Sequence, residues 1–252
     1  PDAPKTWVGV YDHIFLENIE QQIKAIDTPT FHFIYTTSNH SPYKIEDSLL
    51  DYDPATVMPH VGEDLRSNKT RNKELATYRY SDKALFSFVD SMKKAYPDSL
   101  FIITGDHSNL FGSLNNTSLI HRDYTLRDTF CTVALLQHPD LDSNMITTQK
   151  GTHMSLMPTI IEAIAPKGFE YYSITPSLFD DQPETLVTPY QWITDSLMGD
   201  VRSDYGESNQ PSAEPVTQIR PIDNHAKEAR DWSLLTTWLI NHEEKLFSKK
   251  DD

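Results

Sequence analysis

Ser99-Leu100-Phe101-Ile102-Ile103-Thr104-Gly105-Asp106-His107 is a continuously apolar run that ends in a glycine and then presents a carboxylate and an imidazole side by side. Phe101 is aromatic and Ile102 and Ile103 are β-branched, the composition of a buried strand in a parallel sheet. Ligand sites in open α/β sheets lie beyond the carboxyl ends of strands, which is where Asp106 and His107 fall. One hard oxygen beside one borderline nitrogen suits Mn²⁺ or Zn²⁺. Gly-Asp-His-Ser-Asn is equally good turn chemistry, so the pair alone speaks about evenly for a metal site and for a plain loop.

Upstream, Ala84, Leu85, Phe88, Val89 and Met92 recur at i, i+3/i+4 spacing, and Ser81 or Asp82 is placed to cap that helix. A helix running into a strand is half of a βαβ unit, so a parallel sheet is expected. Further upstream, Phe31 to Thr36 is strongly β-prone and reads as a second buried strand. It runs into Thr37-Ser38-Asn39-His40-Ser41-Pro42-Tyr43, a polar turn of the same shape as the one at 106–107: apolar run, then histidine. Leu16, Ile19, Ile23 and Ile26 predict an amphipathic helix over 13–26 with Asp12 as its cap. The polar, charge-rich residues 44–76 read as a long excursion.

Downstream of His107, Phe130 to Leu136 reads as another buried strand. Met154 to Ala165 reads as a helix with Leu156, Met157, Ile160, Ile161 and Ile164 on one side and Pro158 in its first turn. Composition shifts beyond about residue 175. Short strands are expected near Thr185–Pro189 and Gln191–Ile193, and 203–221 reads as a surface loop. A long helix opening at Asp223 or Asn224 carries Ala229, Trp232, Leu235, Leu239 and Leu246 as a face docked on the domain.

The chain's 252 residues suit one large α/β domain, or one domain with an appendage. Its formal net charge of −15 speaks against nucleic acid as a partner and against direct adhesion to anionic lipid. The single cysteine, Cys131, permits no internal disulfide. No apolar run has membrane-spanning length. The chain opens on Pro-Asp-Ala-Pro without an initiator methionine, which reads as a piece of something longer.

Each histidine carries two readings. His40 sits among Ser, Asn and Thr, where an imidazole can hold a phosphate or sulfate oxygen or can simply serve a turn. His121 opens a His-Arg-Asp run that mimics a kinase catalytic loop, but the accompanying asparagine and Gly-rich loop are missing. His153 lies at a helix start, as a ligand or as a neighbour of the cap. His32, His60 and His138 read as structural or exposed, and His225 and His242 as solvated.

Taken in order, "TTSNHSPY" (36–43), "YRYSDKALFSFVDSM" (78–92), "SLFIITGDHSN" (99–109) and "GTHMSLMPTIIEAI" (151–164) resemble the sulfatase-like branch of the alkaline phosphatase superfamily. Within that branch they resemble the lipoteichoic acid synthase-like group, the phosphoglycerol transferases. The similarity runs over roughly residues 5–180. It implies an α/β, alkaline phosphatase-like sandwich with a mostly parallel sheet flanked by helices. Residues 1–178 would be the C-terminal portion of the catalytic domain, and 179–252 an extension of short strands, loop and a long amphipathic helix.

The resemblance implies that Asp106 and His107 ligate a divalent metal, Mn²⁺ first, with Zn²⁺, Ca²⁺ or Mg²⁺ as alternatives. It makes His40 a contact to the substrate's phosphate-type group and His121 a weaker candidate, as a second-metal ligand or a substrate contact. His153 and Asn39 are further candidates. It places the hydroxyl nucleophile and another acidic ligand upstream of Pro1, since Thr36, Thr37 and Ser38 are not at the corresponding place. The chain alone would then be inactive. The implied activity is transfer of a phosphoglycerol-type group from a membrane lipid donor to a glycan or lipid acceptor. An upstream membrane anchor would put the domain in the bacterial cell envelope, on the outer face of the cytoplasmic membrane. Hydrolysis of a sulfate or phosphate ester is the alternative, and a ligand-binding domain without chemistry is the second. The whole reading expects strand tips of a parallel sheet to bring His40 to the same hollow as Asp106 and His107.

Overall fold

The computed structural model describes residues 5–6, 8–57, 63–108, 125–142, 145, 150–201, 206–208, 218–219 and 225–242. In chain order these form α1 (Asp12–Lys24), α2 (Pro54–Val57), α3 (Glu63–Arg66), α4 (Lys69–Ala95), β1 (Phe101–Thr104), α5 (Leu126–Phe130) and β2 (Ala134–Gln137). They are followed by α6 (Leu156–Ile164), the strands β3 (Leu186–Val187), β4 (Gln191–Ile193), β5 (Leu197–Asp200), β6 (Gly206–Ser208) and β7 (Gln218–Ile219), and α7 (His225–Ile240). Short 3₁₀ turns occupy Asp47–Leu49 and His153–Ser155.

The chain divides into two compact units that interleave in sequence. The first comprises 1–105, 111–120 and 133–140, and the second 106–110, 121–132 and 141–252. In the first unit α1 lies along α4. Leu16 from α1 meets Phe88, Val89 and Met92 from α4, and Phe15, Ile19, Ile34, Phe101 and Ile103 close around them. A second cluster joins Tyr11, Ile45 and Tyr80.

Helix α4 begins a dozen residues earlier than its apolar stripe predicts. Asn68 caps it, accepting from the Arg71 amide at 3.1 Å, and Glu74, Ala76, Thr77 and Tyr80 are buried along its first half. The apolar pattern hides this half because its buried positions are mostly polar. Thr77 donates back to the Lys73 carbonyl at 2.9 Å, and Glu74 pairs with Arg71 at 3.2 Å. Residues 69–76 therefore belong to the helix and not to an excursion.

Strand β1 forms where expected, but no parallel partner for it occurs among the described residues. β1 pairs with β2 in antiparallel register, Phe101 opposite Gln137 and Thr104 opposite Ala134. Every other strand pairing among the described residues is antiparallel too. A parallel sheet needs cover on both faces. Here Phe101 and Ile103 pack on the α1–α4 core, whereas Val133 and Leu135 stand 68% and 48% exposed. The run 31–36 is irregular, not a buried strand. Only Ile34 packs inward, while Phe31, Phe33 and Tyr35 are 60%, 81% and 55% exposed. Its β-prone residues have no ladder in which to use that preference.

The second unit contains a five-stranded antiparallel meander, β3 to β7 in sequential order. Its centre is Trp192, fully buried, with Val187, Leu197 and Val201 around it. Gly199 stands opposite Trp192 in the ladder, and the indole fills the space a Cβ would need. Two of the strands, β6 and β7, fall within 203–221, which the composition presents as a loop. Three-residue strands are too short for alternation to register. Helix α6 buries Pro158 and Thr159 instead of its full aliphatic stripe, and leaves Met157 and Ile164 exposed. The last helix packs against β3 and β4, yet Trp232, Leu235 and Trp238 remain 43–45% exposed, so the expected docked face is only partly covered. Leu246 lies outside the described residues. No helix among the described residues is long and apolar enough to cross a membrane.

Candidate functional site

Two histidine turns carry the residues singled out by the sequence, and each is locked by the same local bond. At the first, His107 Nδ1 lies 2.6 Å from the Ser108 carbonyl oxygen. A carbonyl only accepts, so Nδ1 carries the proton and Nε2 is left with a lone pair. That Nε2 stands 3.5 Å from Asp106 Oδ2. The other Asp106 oxygen, Oδ1, accepts from the His107 amide at 2.9 Å. Both side chains are about half exposed, at 54% and 52%.

Metal-binding histidines donate their second nitrogen to a carbonyl or carboxylate, which fixes tautomer and ring orientation. The turn already has that arrangement, so this oxygen–nitrogen pair fits a divalent cation. It supplies two ligands. No group of three or more His, Cys, Asp or Glu suited to a metal occurs among the described residues.

Ser108 fixes this turn to α5. Its hydroxyl lies 2.5 Å from the Asp128 carbonyl and also bonds that of Thr129. Helix α5 is held in turn by a capping box between Thr125 and Asp128 and by Glu207, which accepts from the Leu126 amide. Burial pushes the Glu207 carboxyl above its usual range, against the lowering effect of that amide bond.

The His40 turn is built alike at its tip. Nδ1 lies 2.7 Å from the Ser41 carbonyl oxygen and donates to it. The backbone closes from the Tyr43 amide to the His40 carbonyl at 2.9 Å. A cis Ser41–Pro42 bond and a positive φ at Tyr43 shape the loop. His40 is exposed. Beside it, the Asn39 side-chain oxygen is buried with no hydrogen-bond partner among the described residues.

The base of this turn is buried. Ser38 is fully enclosed, and the amides of Thr37 and Ser38 donate to Asp12 Oδ1, each at 3.0 Å. Asp12 is therefore no helix cap; Tyr11 occupies that position and makes no side-chain cap bond. Ser81 does not cap a helix either: its hydroxyl donates to Asp12 Oδ2 at 3.2 Å. Tyr80 OH lies 2.5 Å from His13 Nδ1, and burial pushes the phenol's pKa up.

Asp106 and His107 thus come together, whereas His40 and Asn39 belong to the other compact unit. Sheet topology does not supply the expected convergence, because no parallel strands occur among the described residues. His153 is exposed, on a 3₁₀ turn of the second unit. His121 and His60 lie outside the described residues. Asp12 and Ser108 escaped the sequence reading, since a short polar residue before a helix or in a loop has many local uses.

The sulfatase family model matches residues 1–165. No curated protein matches the chain. Among solved structures, that of the lipoteichoic acid synthase LtaP from Listeria monocytogenes is similar in fold, with a TM-score of 0.64 at 13% sequence identity. The similarity covers 93% of this chain and 60% of that one, so the chain spans about three fifths of its structural neighbour's length. The family match takes in both histidine turns and the helices behind them, and by it the chain belongs to the sulfatase family.

Proposed function

We propose that this chain is the C-terminal part of a metal-dependent catalytic domain that transfers a phosphoryl group, of phosphoglycerol type, from a membrane lipid donor to a glycan or lipid hydroxyl. The observation that carries the reading is the His107 ring, whose bare Nε2 stands beside the Asp106 carboxylate. The family match and the fold likeness to a lipoteichoic acid synthase support it. Asp106 and His107 would hold Mn²⁺, or Zn²⁺, Ca²⁺ or Mg²⁺, with the remaining ligands contributed by the longer protein. A metal so bound offsets charge on a phosphoryl oxygen and lowers the pKa of a hydroxyl nucleophile.

The chain's own residues have two tasks in this reading. Asp106 and His107 present oxygen and nitrogen without rearranging, because Ser108 holds the ring through its carbonyl. Protonated on both nitrogens, His40 donates its Nε2–H to a non-bridging oxygen as charge develops there, while its Nδ1–H is given to the Ser41 carbonyl. His121, His153 and Asn39 stay secondary candidates for substrate contact. The division into 1–178 and 179–252 belongs to the same proposal, as does a place on the outer face of the cytoplasmic membrane.

The test is Mn²⁺ binding by calorimetry on the full-length protein and on its Asp106→Ala variant. Loss of Mn²⁺ binding together with activity is the expected result; retained affinity overturns the ligand assignment. Product analysis with a lipid donor distinguishes transfer to an alcohol from hydrolysis. Release to water alone makes the protein a sulfatase-type or phosphodiester hydrolase.

A further inference from the structure

Asp12 is 1% exposed, and every polar contact given for it leads to the His40 turn or to α4 behind it. Oδ1 takes the Thr37 and Ser38 amides at 3.0 Å, Oδ2 takes the Ser81 hydroxyl at 3.2 Å, and the Asp12 amide donates to Ser38 Oγ at 2.8 Å. A buried carboxylate is tolerated only where such donors surround it. Here two of the three are consecutive backbone amides, which fixes a peptide plane more firmly than one side-chain bond would.

The neighbours tighten the same spot. A Cβ on Gly9 would come 2.8 Å from Thr37 Oγ1, so Gly9 lies directly against the turn. His13, next to Asp12, bonds through its amide and its ring to Tyr80 OH at 3.3 and 2.5 Å, which fastens the start of α1 to α4. Between Ser38 and His40 there is a single residue. Beyond it the loop is closed by the Tyr43 amide on the His40 carbonyl. The position of the His40 ring is thus set through backbone that a buried carboxylate holds.

We infer that Asp12 is the positioning residue of His40, fixing where its Nε2 meets a phosphoryl oxygen while touching no substrate itself. The inference rests on the reading of His40 as a phosphate contact. The two separate in a double-mutant cycle on the full-length protein, read by calorimetric titration with inorganic phosphate and by KM and kcat on a phosphodiester probe, bis(p-nitrophenyl) phosphate. Asp12→Ala should weaken phosphate binding and lower kcat/KM by about 10- to 100-fold. Asp12→Asn keeps an oxygen for the two amides and should restore binding to within about tenfold of wild type. Asp12→Ala combined with His40→Ala should be no worse than His40→Ala alone, to within about twofold.

An Asp12→Ala variant that binds phosphate as wild type does, or whose loss adds in full to that of His40→Ala, overturns the positioning role and leaves the His40 reading standing. A His40→Ala variant that binds phosphate normally defeats the His40 reading, and the inference with it. Should Asp12→Ala not fold, Ser38→Ala, which removes the bond from the Asp12 amide, takes its place in the cycle.

Discussion

The His40 and His107 turns have the same tip and different foundations. In each, an imidazole donates from Nδ1 to the carbonyl of the serine that follows, at 2.7 and 2.6 Å. Beneath His40 lies a buried carboxylate that gathers two backbone amides and a hydroxyl. Beneath His107 lies one serine hydroxyl shared between two carbonyls of a five-residue helix. A short histidine motif can therefore fix a ring's tautomer by itself, but how firmly the ring is held depends on residues remote in sequence. Asp12 lies 25 residues from Thr37, and Asp128 lies 20 from Ser108.

The difference predicts unequal responses to mutation. Asp12→Ala leaves two amides at the buried base of a turn without an acceptor and should cost about 3 kcal/mol of stability. Urea unfolding measures it, and a cost near zero would erase the contrast. Amide exchange should follow the same order. The Ser38 amide, enclosed and bonded to Asp12, should exchange about a hundredfold more slowly than the His107 amide, which is bonded only to the half-exposed Asp106.

Ser108→Ala should cost less, about 1 kcal/mol, because the two carbonyls it frees end a short helix close to solvent. Its larger effect should be on the metal site, as weaker Mn²⁺ binding by calorimetry with the Asp106–His107 pair intact. An unchanged Mn²⁺ affinity would show that Ser108 does not steady the ring.

The smallest effect belongs to Glu207, one step further from His107, where burial raises the carboxyl's folded pKa. As pH rises, the unfolded chain ionises first, so an ionised Glu207 weighs against folding above the ordinary carboxylate range. Glu207→Gln should then gain about 1 °C in Tm at pH 7, and that gain should vanish toward pH 4. Melting curves at the two pH values check the sign. A gain that grows on acidification contradicts it.

Much of the local structure is legible in the residues. The periodicity of Leu16, Ile19 and Ile23 marks α1, Phe101 to Thr104 marks β1, and the order of four short motifs marks the family. What the periodicity missed has a common cause. The first half of α4 buries Glu74, Thr77 and Tyr80, whose polar atoms meet Arg71, the Lys73 carbonyl and His13, and a hydrophobicity pattern does not register buried polar groups. Strands β6 and β7 are shorter than one full cycle of alternation can reveal. The strand expected over Phe31 to Thr36 is missing for another reason: the run has strand composition, but composition does not provide a ladder partner, and none occurs among the described residues.

The sequence by itself determined that a carboxylate and an imidazole stand side by side, because Asp106 and His107 are adjacent in the chain, and that each ring's Nδ1 meets the carbonyl of the serine that follows, because that bond is local. Only the tertiary structure decided that the strands pair antiparallel and that Asp12 and Ser108 hold the two turns. Strand pairing and buried hydrogen bonds join residues far apart in the chain. Their free energy depends on what else has been removed from water around them, and no local pattern records that.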